Sequence, residues 1–337
     1  MRVAIHGSQG FSARWATRAR ELGHDVQGVD GFSPSIMDQL RTCDAFLWHL
    51  NQDEPADLHF ARSVLYAAET MGLRVFPNRQ TCWHFDDKIA QKYLLEAVGA
   101  PLAPSWAFYS RTAAMAFLES AKFPLVFKLR RGAGSVNVRL VRSRDEGATL
   151  TRRMFGGGLR QFPAVERVRR AVARASAPSF DKAHLYQRAV RTLRRLLRQI
   201  ARPGRERGYV LFQEFIPEND CDIRAAVIGD RCFVFRRGVR PNDFRASGSG
   251  RLIYLTASEM PLDVVETAFS ISKRLGFQSM GYDFVRDPLT KRPVLLEMSY
   301  VFVAQAVAAC PGYLTGVGEW REGPAWPQDL TLEDLLR

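Results

Sequence analysis

Short apolar runs alternate with stretches of helical spacing over the first 78 residues. The predicted strands are 3–6, 25–29, 44–50 and 74–76, and the predicted helices are 12–22 and 58–71. Strands and helices that alternate in this way predict a parallel sheet with helices on its faces. The turn Gly7-Ser8-Gln9-Gly10 after the first strand lacks the G-x-G-x-x-G spacing, so the pattern does not favour a nicotinamide site.

Beyond residue 78 the pattern changes to hairpins and isolated helices. A helix is predicted over 86–98, with Asp86 and Asp87 in its first turn, and another over 261–275. The other predicted strands are 124–128, 136–141, 209–215, 222–228, 231–235, 252–255 and the two arms of a hairpin over 279–300. The whole chain is therefore expected to be α/β, with an α+β character in its C-terminal half.

Composition and charge exclude several classes of protein. The 337 residues are enough for two or three domains, and 46% hydrophobic residues with 25% charged residues indicate a globular chain. The formal net charge is +13, and the segment 151–207, with sixteen Arg or Lys and three acids, carries all of it. Its central part, 183–201, has helical spacing with arginines along one face. An anionic acceptor or an anionic membrane face is the expected partner of this segment, and a merely solvated surface is the alternative.

Cysteine usage and the start of the chain predict a cytoplasmic protein. The five cysteines are an odd number, are widely spaced and form no C-x-x-C motif, which favours reduced thiols over a disulfide framework or a zinc site. The first residues form a strand-like run without the basic flank and apolar region of an export signal. No run of apolar residues is long enough to cross a membrane.

The C-terminal hairpin carries the most informative polar pair. Its turn, 287–293, is centred on Thr290, so that symmetric pairing places Asp283 opposite Glu297. Directly opposed residues point to the same face, and two like charges there are destabilising unless a cation neutralises them. Carboxylate oxygens in such a pair suit Mg²⁺. The alternative is a pair of exposed acids on a sheet edge.

Cations and a strand-to-loop segment suggest a nucleotide. Lys128 ends an apolar strand just before a glycine-bearing turn, where a triphosphate could neutralise it, and Lys88 opens a helix behind two aspartates. The segment 211–217 runs from an apolar strand into a loop whose backbone could contact a purine edge. Asp222 and Arg224 alternate with an isoleucine and so share one face of the next strand. Each of these residues, taken alone, could equally be an ordinary surface charge.

Taken together, these motifs resemble the ATP-grasp superfamily, in particular the branch of ribosomal-protein glutamate ligases and glutathione synthetases. The resemblance runs from about residue 76 to 304, with 151–207 as an insertion, and residues 1–75 look like the domain that precedes the ATP-grasp fold. The matching motifs are Phe76-Pro77-Asn78, Asp87-Lys88, the run from Phe123 to Lys128, the loop 132–138, Gln213-Glu214-Phe215-Ile216, Cys221-Asp222-Ile223-Arg224, the run 227–230, Asp243-Phe244-Arg245, Gly281-Tyr282-Asp283 and Leu296-Glu297.

The resemblance implies roles for individual residues. The residues expected to bind the nucleotide are Lys88 and Lys128 at the phosphates, Gly132, Gly134 and Ser135 in the covering loop, Gln213, Glu214, Phe215 and Ile216 at the adenine edge, and Asp222 at the ribose. The residues expected to face the γ-phosphate and the acyl phosphate are Arg224 and one of Arg237 or Arg245. The expected Mg²⁺ ligands are Asp283, Glu297 and Ser299. The last is a departure, because the family has asparagine there, and it leaves open whether one or two metal ions bind.

The same resemblance implies an ATP-dependent ligase that joins a carboxylate to an amine through an acyl phosphate. ATP and Mg²⁺, with Mn²⁺ as a substitute, are the expected cofactors. The acid could be a uronic-acid glycan precursor, an amino acid or a peptide, and a homo-oligomer is expected. The alternatives are a phosphotransferase on the same fold, a non-catalytic nucleotide-binding scaffold and a nucleic-acid-binding protein. The last is disfavoured, because the basic segment has few aromatic side chains on which bases could stack.

Five segments are expected along the chain. They are a domain preceding the ATP-grasp fold (1–78), a small subdomain with the glycine loop (79–150), a basic helical insertion (151–207), the C-terminal ATP-grasp subdomain (208–310) and a tail (311–337).

Overall fold

A computed structural model describes residues 1–8, 10–52, 54, 56–132, 137–160, 205–241 and 243–337. The chain forms two compact units. The first combines residues 1–103 with 216–337, and the second consists of residues 104–215. The five predicted segments stay predictions.

The first unit begins with a parallel sheet, as predicted. Its strands are β1 (Arg2–His6), β2 (Asp25–Val29), β3 (Ala45–Leu47) and β4 (Arg74–Phe76), in the order β2-β1-β3-β4. The helices here are α1 (Ser12–Glu21), α2 (Ile36–Leu40) and α3 (Arg62–Thr70), the last preceded by a π-helical turn (Asp57–Ala61). The third strand is shorter than predicted, because the apolar run after Leu47 continues as a buried loop through Trp48 and Leu50.

Two helices follow the parallel sheet, α4 (Arg79–Cys82) and α5 (Lys88–Ala97). The second is the helix predicted over 86–98, but its start was predicted two residues too early. Asp87 is its N-cap, and the carboxylate of Asp87 accepts a hydrogen bond from the backbone N–H of Ala90 at 3.1 Å. Asp86 has a positive φ of 54° and therefore lies outside the helix. The capping aspartate makes Lys88 the first helical residue.

The second unit is built on an antiparallel sheet in the order β5-β10-β6-β7, and a short pair, β8 and β9, accompanies it. The elements are β5 (Ser105–Phe108), α6 (Arg111–Ser120), β6 (Leu125–Lys128), β7 (Arg139–Val141), α7 (Arg144–Phe155), β8 (Leu159–Arg160), β9 (Arg205–Glu206) and β10 (Val210–Glu214). The sequence patterns did not predict α7, although Ser143 caps it and acids and arginines occupy its first and last turns. The predicted basic helix at 183–201 lies outside the described residues.

The C-terminal part of the first unit is a second, antiparallel sheet in the order β15-β14-β11-β12-β16-β17, with β13 also paired to β12. The strands are β11 (Cys221–Ile228), β12 (Arg231–Gly238), β13 (Leu252–Tyr254), β14 (Ser279–Arg286), β15 (Pro293–Ser299), β16 (Gly312–Thr315) and β17 (Trp320–Glu322), and the helices are α8 (Leu262–Leu275), α9 (Ala304–Ala308) and α10 (Pro327–Leu336). The predicted combination of a parallel sheet with later antiparallel sheets is confirmed.

One hydrophobic core joins both sheets of the first unit. Trp15 and Phe46 of the N-terminal part lie in the same buried cluster as Ile223 and Tyr282 of the antiparallel sheet. The C-terminal helix α10 closes this core: Asp329 pairs with Arg14 and Asp334 with Arg231. All five cysteines are free thiols. In the described part of the chain, no helix is both long and apolar enough to span a bilayer.

Candidate active site

The register of the β14–β15 hairpin confirms the predicted opposition of two acids. Asp283 pairs directly with Glu297, as symmetry about Thr290 requires. Nearer the turn the register shifts by one, so that Phe284 pairs with Leu295 and Leu296 becomes the extra residue of a bulge. Such bulges alter the direction of neighbouring side chains and are common beside functional sites. The two acids therefore meet at the irregular point of the hairpin.

Two arginines hold the carboxylate of Asp283. Nε of Arg224 lies 2.5 Å from Oδ1 of Asp283, and Nη2 of Arg237 lies 2.8 Å from Oδ2. Strand register explains the first contact, since Arg224 on β11 stands directly opposite Asp283 on β14. Burial alone would raise the pKa of Asp283, but the two arginines outweigh it and lower that pKa. Asp283 is therefore a buried, ionised group whose charge is fully compensated.

Asp222 extends the same arrangement by one more charge. Arg237 stands opposite Asp222 in the β11–β12 register and donates two hydrogen bonds to it, from Nε at 2.7 Å and from Nη2 at 2.6 Å. Burial raises the pKa of Asp222, and Arg237 opposes that effect. A bidentate pair of this kind fixes the guanidinium plane. The structure thus shows Asp222 bound to Arg237, and its predicted contact with a ribose stays a prediction.

Lys88 provides the cation for Glu297. Its Nζ lies 3.0 Å from Oε1 of Glu297, and the lysine side chain is only 8% exposed, whereas that of Glu297 is 32% exposed. Burial would lower the pKa of Lys88, but the carboxylates of Glu297 and Asp86 outweigh it and raise that pKa. The interpretation of Lys88 as an ordinary solvent-facing helix residue is therefore wrong.

These residues form one row of charges, which we call the charged row. It consists of Asp222, Arg237, Arg224, Asp283, Glu297 and Lys88, and it crosses β12, β11, β14 and β15 before ending on α5. The row holds three cations and three anions, and each of them lies beside an opposite charge. Because each charge is paired, the row can be buried at tolerable cost.

Gly281 is a residue whose structural role the sequence motif did not reveal. A Cβ at this position would lie 2.8 Å from Nη1 of Arg224 and 3.1 Å from the carbonyl oxygen of Ser299. A larger residue would therefore push the arginine away from its position beside Asp283. The signal in the sequence was the glycine two positions before the buried acid, on the same face of the strand.

Two other predicted residues are engaged in local contacts. The hydroxyl of Ser299 donates a hydrogen bond to the carbonyl of Val301 at 3.1 Å and accepts one from its N–H at 3.2 Å. Arg245 binds Asp243, its neighbour in the loop after β12, with Nη2 2.7 Å from Oδ2. The contacts of the charged row thus include Arg237 rather than Arg245.

The second unit holds the other predicted nucleotide-binding residues. Lys128 is buried at the end of β6, and Gln213 is buried on β10, where its side-chain amide donates to the hydroxyl of Ser105 at 3.0 Å. Glu214 follows at the exposed end of β10. Gly132 has a φ of 114°, which only glycine adopts readily. Phe215 is the last residue of the second unit, and Ile216 is the first residue of the C-terminal part of the first unit. Gly134 and Ser135 lie outside the described residues.

The donor set of the charged row fits a magnesium ion. Asp283 and Glu297 offer hard carboxylate oxygens, and proteins usually hold Mg²⁺ with one or two carboxylates together with substrate phosphates. Oδ1 of Asp283 is buried and accepts no hydrogen bond of normal geometry from the described residues. Those residues contain no group of three or more His, Cys, Asp or Glu side chains that could hold a metal by itself. Asp283 and Glu297 are the groups that would hold a metal ion together with phosphates.

Comparison with solved structures identifies the fold. A RimK domain ATP-grasp protein from Sphaerobacter thermophilus is 15% identical, with a TM-score of 0.56 over 99% of both chains. The ATP-grasp ligase PsnB, complexed with minimal precursor, Mg and ADP, is 14% identical, with a TM-score of 0.53 over 99% of this chain and 98% of its own. The macrocyclase MdnC from Microcystis aeruginosa, bound with precursor peptide MdnA, is 12% identical, with a TM-score of 0.53 over 100% and 99%.

These similarities show that the chain has the ATP-grasp fold, as its motifs predicted. The similarity spans the whole chain and nearly the whole of each of these three proteins. No family model matches the sequence, and no curated protein matches it. At such low identity the comparison establishes the fold, and the activity has to be argued from the residues.

Proposed function

We propose that the protein is an ATP-dependent ligase that joins a carboxylate to an amine through an acyl phosphate. The observation that carries this proposal is the charged row, in which two carboxylates suited to Mg²⁺ lie beside two arginines and a lysine. An array of fixed cations and metal-binding acids is what phosphoryl transfer requires, because its transition state is stabilised mainly by positioning and charge. The fold shared with PsnB, whose structure holds Mg and ADP, supports ATP as the substrate.

The chemistry follows from the poor reactivity of a carboxylate. Its leaving group would be oxide, so attack by an amine does not proceed directly. Transfer of the γ-phosphoryl group breaks its bond to ADP and forms an acyl phosphate. The amine then attacks the acyl carbon, loses a proton, and expels inorganic phosphate as the amide forms. Neither step needs a nucleophilic side chain, in keeping with a charged row that consists of acids, arginines and lysine alone.

Each member of the row has a proposed task. Arg224 and Arg237 spread the charge of the transferred phosphoryl group, and Asp222 and Asp283 hold their guanidinium groups in place. Lys88 neutralises phosphate charge, and the roles that the resemblance implies for Lys128 and the 132–138 loop stay predictions. Glu297 and Asp283 would hold the metal, which when bound supplies further neutralisation of the phosphates.

A peptide with an acidic side chain is our first choice for the carboxylate substrate. Two of the whole-length structural neighbours were solved with a precursor or precursor peptide. The sixteen basic residues of the segment 151–207 would attract an acidic chain. A uronic-acid glycan precursor and a free amino acid remain the other acids to test, and the cytoplasm is the expected compartment.

A phosphate-release screen with Mg-ATP tests the proposal. Pairs of acids and amines, including acidic peptides, uronic acids and amino acids, are compared between the native protein and Glu297→Gln. We expect release only with a productive pair, and loss of that release in the variant. Glu319→Gln is the matched control, because Glu319 forms an exposed pair with Arg321 away from the charged row.

The products distinguish the alternatives. A ligase gives an amide whose mass is that of the acid plus the amine less one water. A phosphotransferase gives the phosphorylated acceptor and no free phosphate. Nucleotide binding without release for any pair would contradict the proposal and indicate a non-catalytic scaffold.

A further inference from the structure

The pairing of Lys88 with Glu297 has a consequence for metal binding, and the inference from it rests on the proposed function. Both opposed acids of the hairpin are paired with cations of the chain itself: Asp283 has two arginines, and Glu297 has the ammonium of Lys88. Any metal ion that binds Glu297 through Oε1 has to compete with that ammonium. The competition decides when the metal can bind.

Both the helix position and the burial of Lys88 disfavour its positive charge. It is the first residue of α5, where the helix dipole disfavours a positive charge, and its side chain is buried. The neighbouring α5 lysine, Lys92, has an ordinary local partner, because it pairs with Glu96 one turn along the same helix at 2.6 Å. Glu297, in contrast, is about two hundred residues away in the chain. The ion pair between Lys88 and Glu297 therefore offsets the unfavourable effect of the helix dipole on Lys88.

We propose that Lys88 is the stand-in cation of Glu297 and thereby makes metal binding depend on nucleotide binding. A metal ion that binds Glu297 without a nucleotide would have to displace the ammonium from that carboxylate, and the loss of this ion pair would weaken metal binding. The phosphates of a nucleotide would offer the ammonium of Lys88 a new anionic partner, and the Glu297 carboxylate would then be available to a metal ion.

Metal titration of the full-length protein tests this role without relying on activity. Free Mn²⁺ is measured by electron paramagnetic resonance, with and without ADP. We expect Lys88→Gln to bind Mn²⁺ about three- to tenfold more tightly than the native protein when no nucleotide is present, as the loss of one competing ion pair implies. The gain in Mn²⁺ affinity on adding ADP should shrink in this variant.

Three further variants serve as controls for the Mn²⁺ titration. Lys88→Arg keeps the charge and should keep the weak metal affinity of the native protein. Lys92→Gln removes the other buried lysine of α5 and should leave metal binding unchanged. Adding Glu297→Gln to Lys88→Gln should abolish the gain. Thermal unfolding of each variant shows whether it is folded at the titration temperature.

The inference is overturned if Lys88→Gln binds Mn²⁺ as the native protein does or more weakly, or if the gain survives the loss of Glu297. Failure of the proposed function has a different signature. A folded protein that binds no nucleotide, or binds it and never releases phosphate, fails the ligase proposal. The Mn²⁺ affinities measured without nucleotide still decide whether Lys88 competes with the metal.

Discussion

The first compact unit buries polar side chains in two opposite ways. The charged row on the antiparallel sheet buries them as ions, each beside an opposite charge. The N-terminal hundred residues bury histidines in neutral form among aromatic rings. His49 stacks on Phe11 with ring centroids 3.8 Å apart, and burial lowers its pKa to about 3. Burial likewise lowers the pKa of His84 to about 4.

This difference distinguishes residues that can bind a ligand from residues that only pack in the core. Paired ions retain their charge. A carboxylate can therefore exchange its cationic side-chain partner for a metal ion, and a guanidinium or ammonium group can exchange its carboxylate partner for a phosphate. A histidine whose pKa is about 3 or 4 stays neutral at physiological pH and cannot serve there as an acid catalyst. We therefore assign ligand binding to the charged row and packing to the buried histidines.

Breaking the row at its centre should have the largest effect. Asp283→Asn removes the anion that Arg224 and Arg237 share and leaves two buried guanidinium groups short of a partner. We expect the free energy of unfolding to fall by about 3–5 kcal/mol, measured by urea denaturation. The control is Asp263→Asn, because Asp263 of α8 forms a partly exposed pair with Arg286 of β14 and its loss should cost far less. Equal losses for both would mean that the row is not a buried ionic unit.

Acid should destabilise the histidine region next. His49 and His84 have folded-state pKa values below the ordinary value, so the unfolded chain binds their protons more readily. Their contribution to stability is complete above about pH 6.5 and is lost as the pH falls below it, by about 2 kcal/mol for each histidine at pH 5. Unfolding curves from pH 7 to pH 5 measure this loss. His49→Phe should reduce the dependence on pH, and an unchanged slope would contradict the assignment.

Strand register made the centre of the site predictable from sequence. The turn around Thr290 fixed the opposition of Asp283 and Glu297, because a hairpin of known centre has few possible registers. The bulge at Leu296 was not predictable in this way, since one residue more in a strand leaves no mark in the alternation of a short hairpin. The start of α5 was misplaced for a related reason, because Asp86 and Asp87 are both good helix-start residues and only the backbone conformation selects the cap.

The sequence patterns did not predict which residues far apart in the chain form pairs. Lys88 of α5 pairs with Glu297 of β15, and Asp222 of β11 pairs with Arg237 of β12. The sequence around Lys88 or Asp222 does not indicate either partner. The resemblance implied ligand-binding roles for these residues but did not indicate which groups of the chain pair with them. The pairing of Lys88 needs the packing of α5 against β15, which depends on residues far apart in the chain.

The smallest effect on stability should come from the outer end of the row. Glu297→Gln leaves Lys88 near Asp86, and the partly exposed Glu297 carboxylate contributes less than a fully buried one. We expect the free energy of unfolding to fall by about 1 kcal/mol or less, while phosphate release is lost. The contrast with Asp283→Asn is the informative measurement: one acid holds the sheet together, and the other is kept available for the metal. A loss of stability as large as that of Asp283→Asn, measured by the same urea denaturation, would show that Glu297 is part of the scaffold and that its pairing with Lys88 is structural.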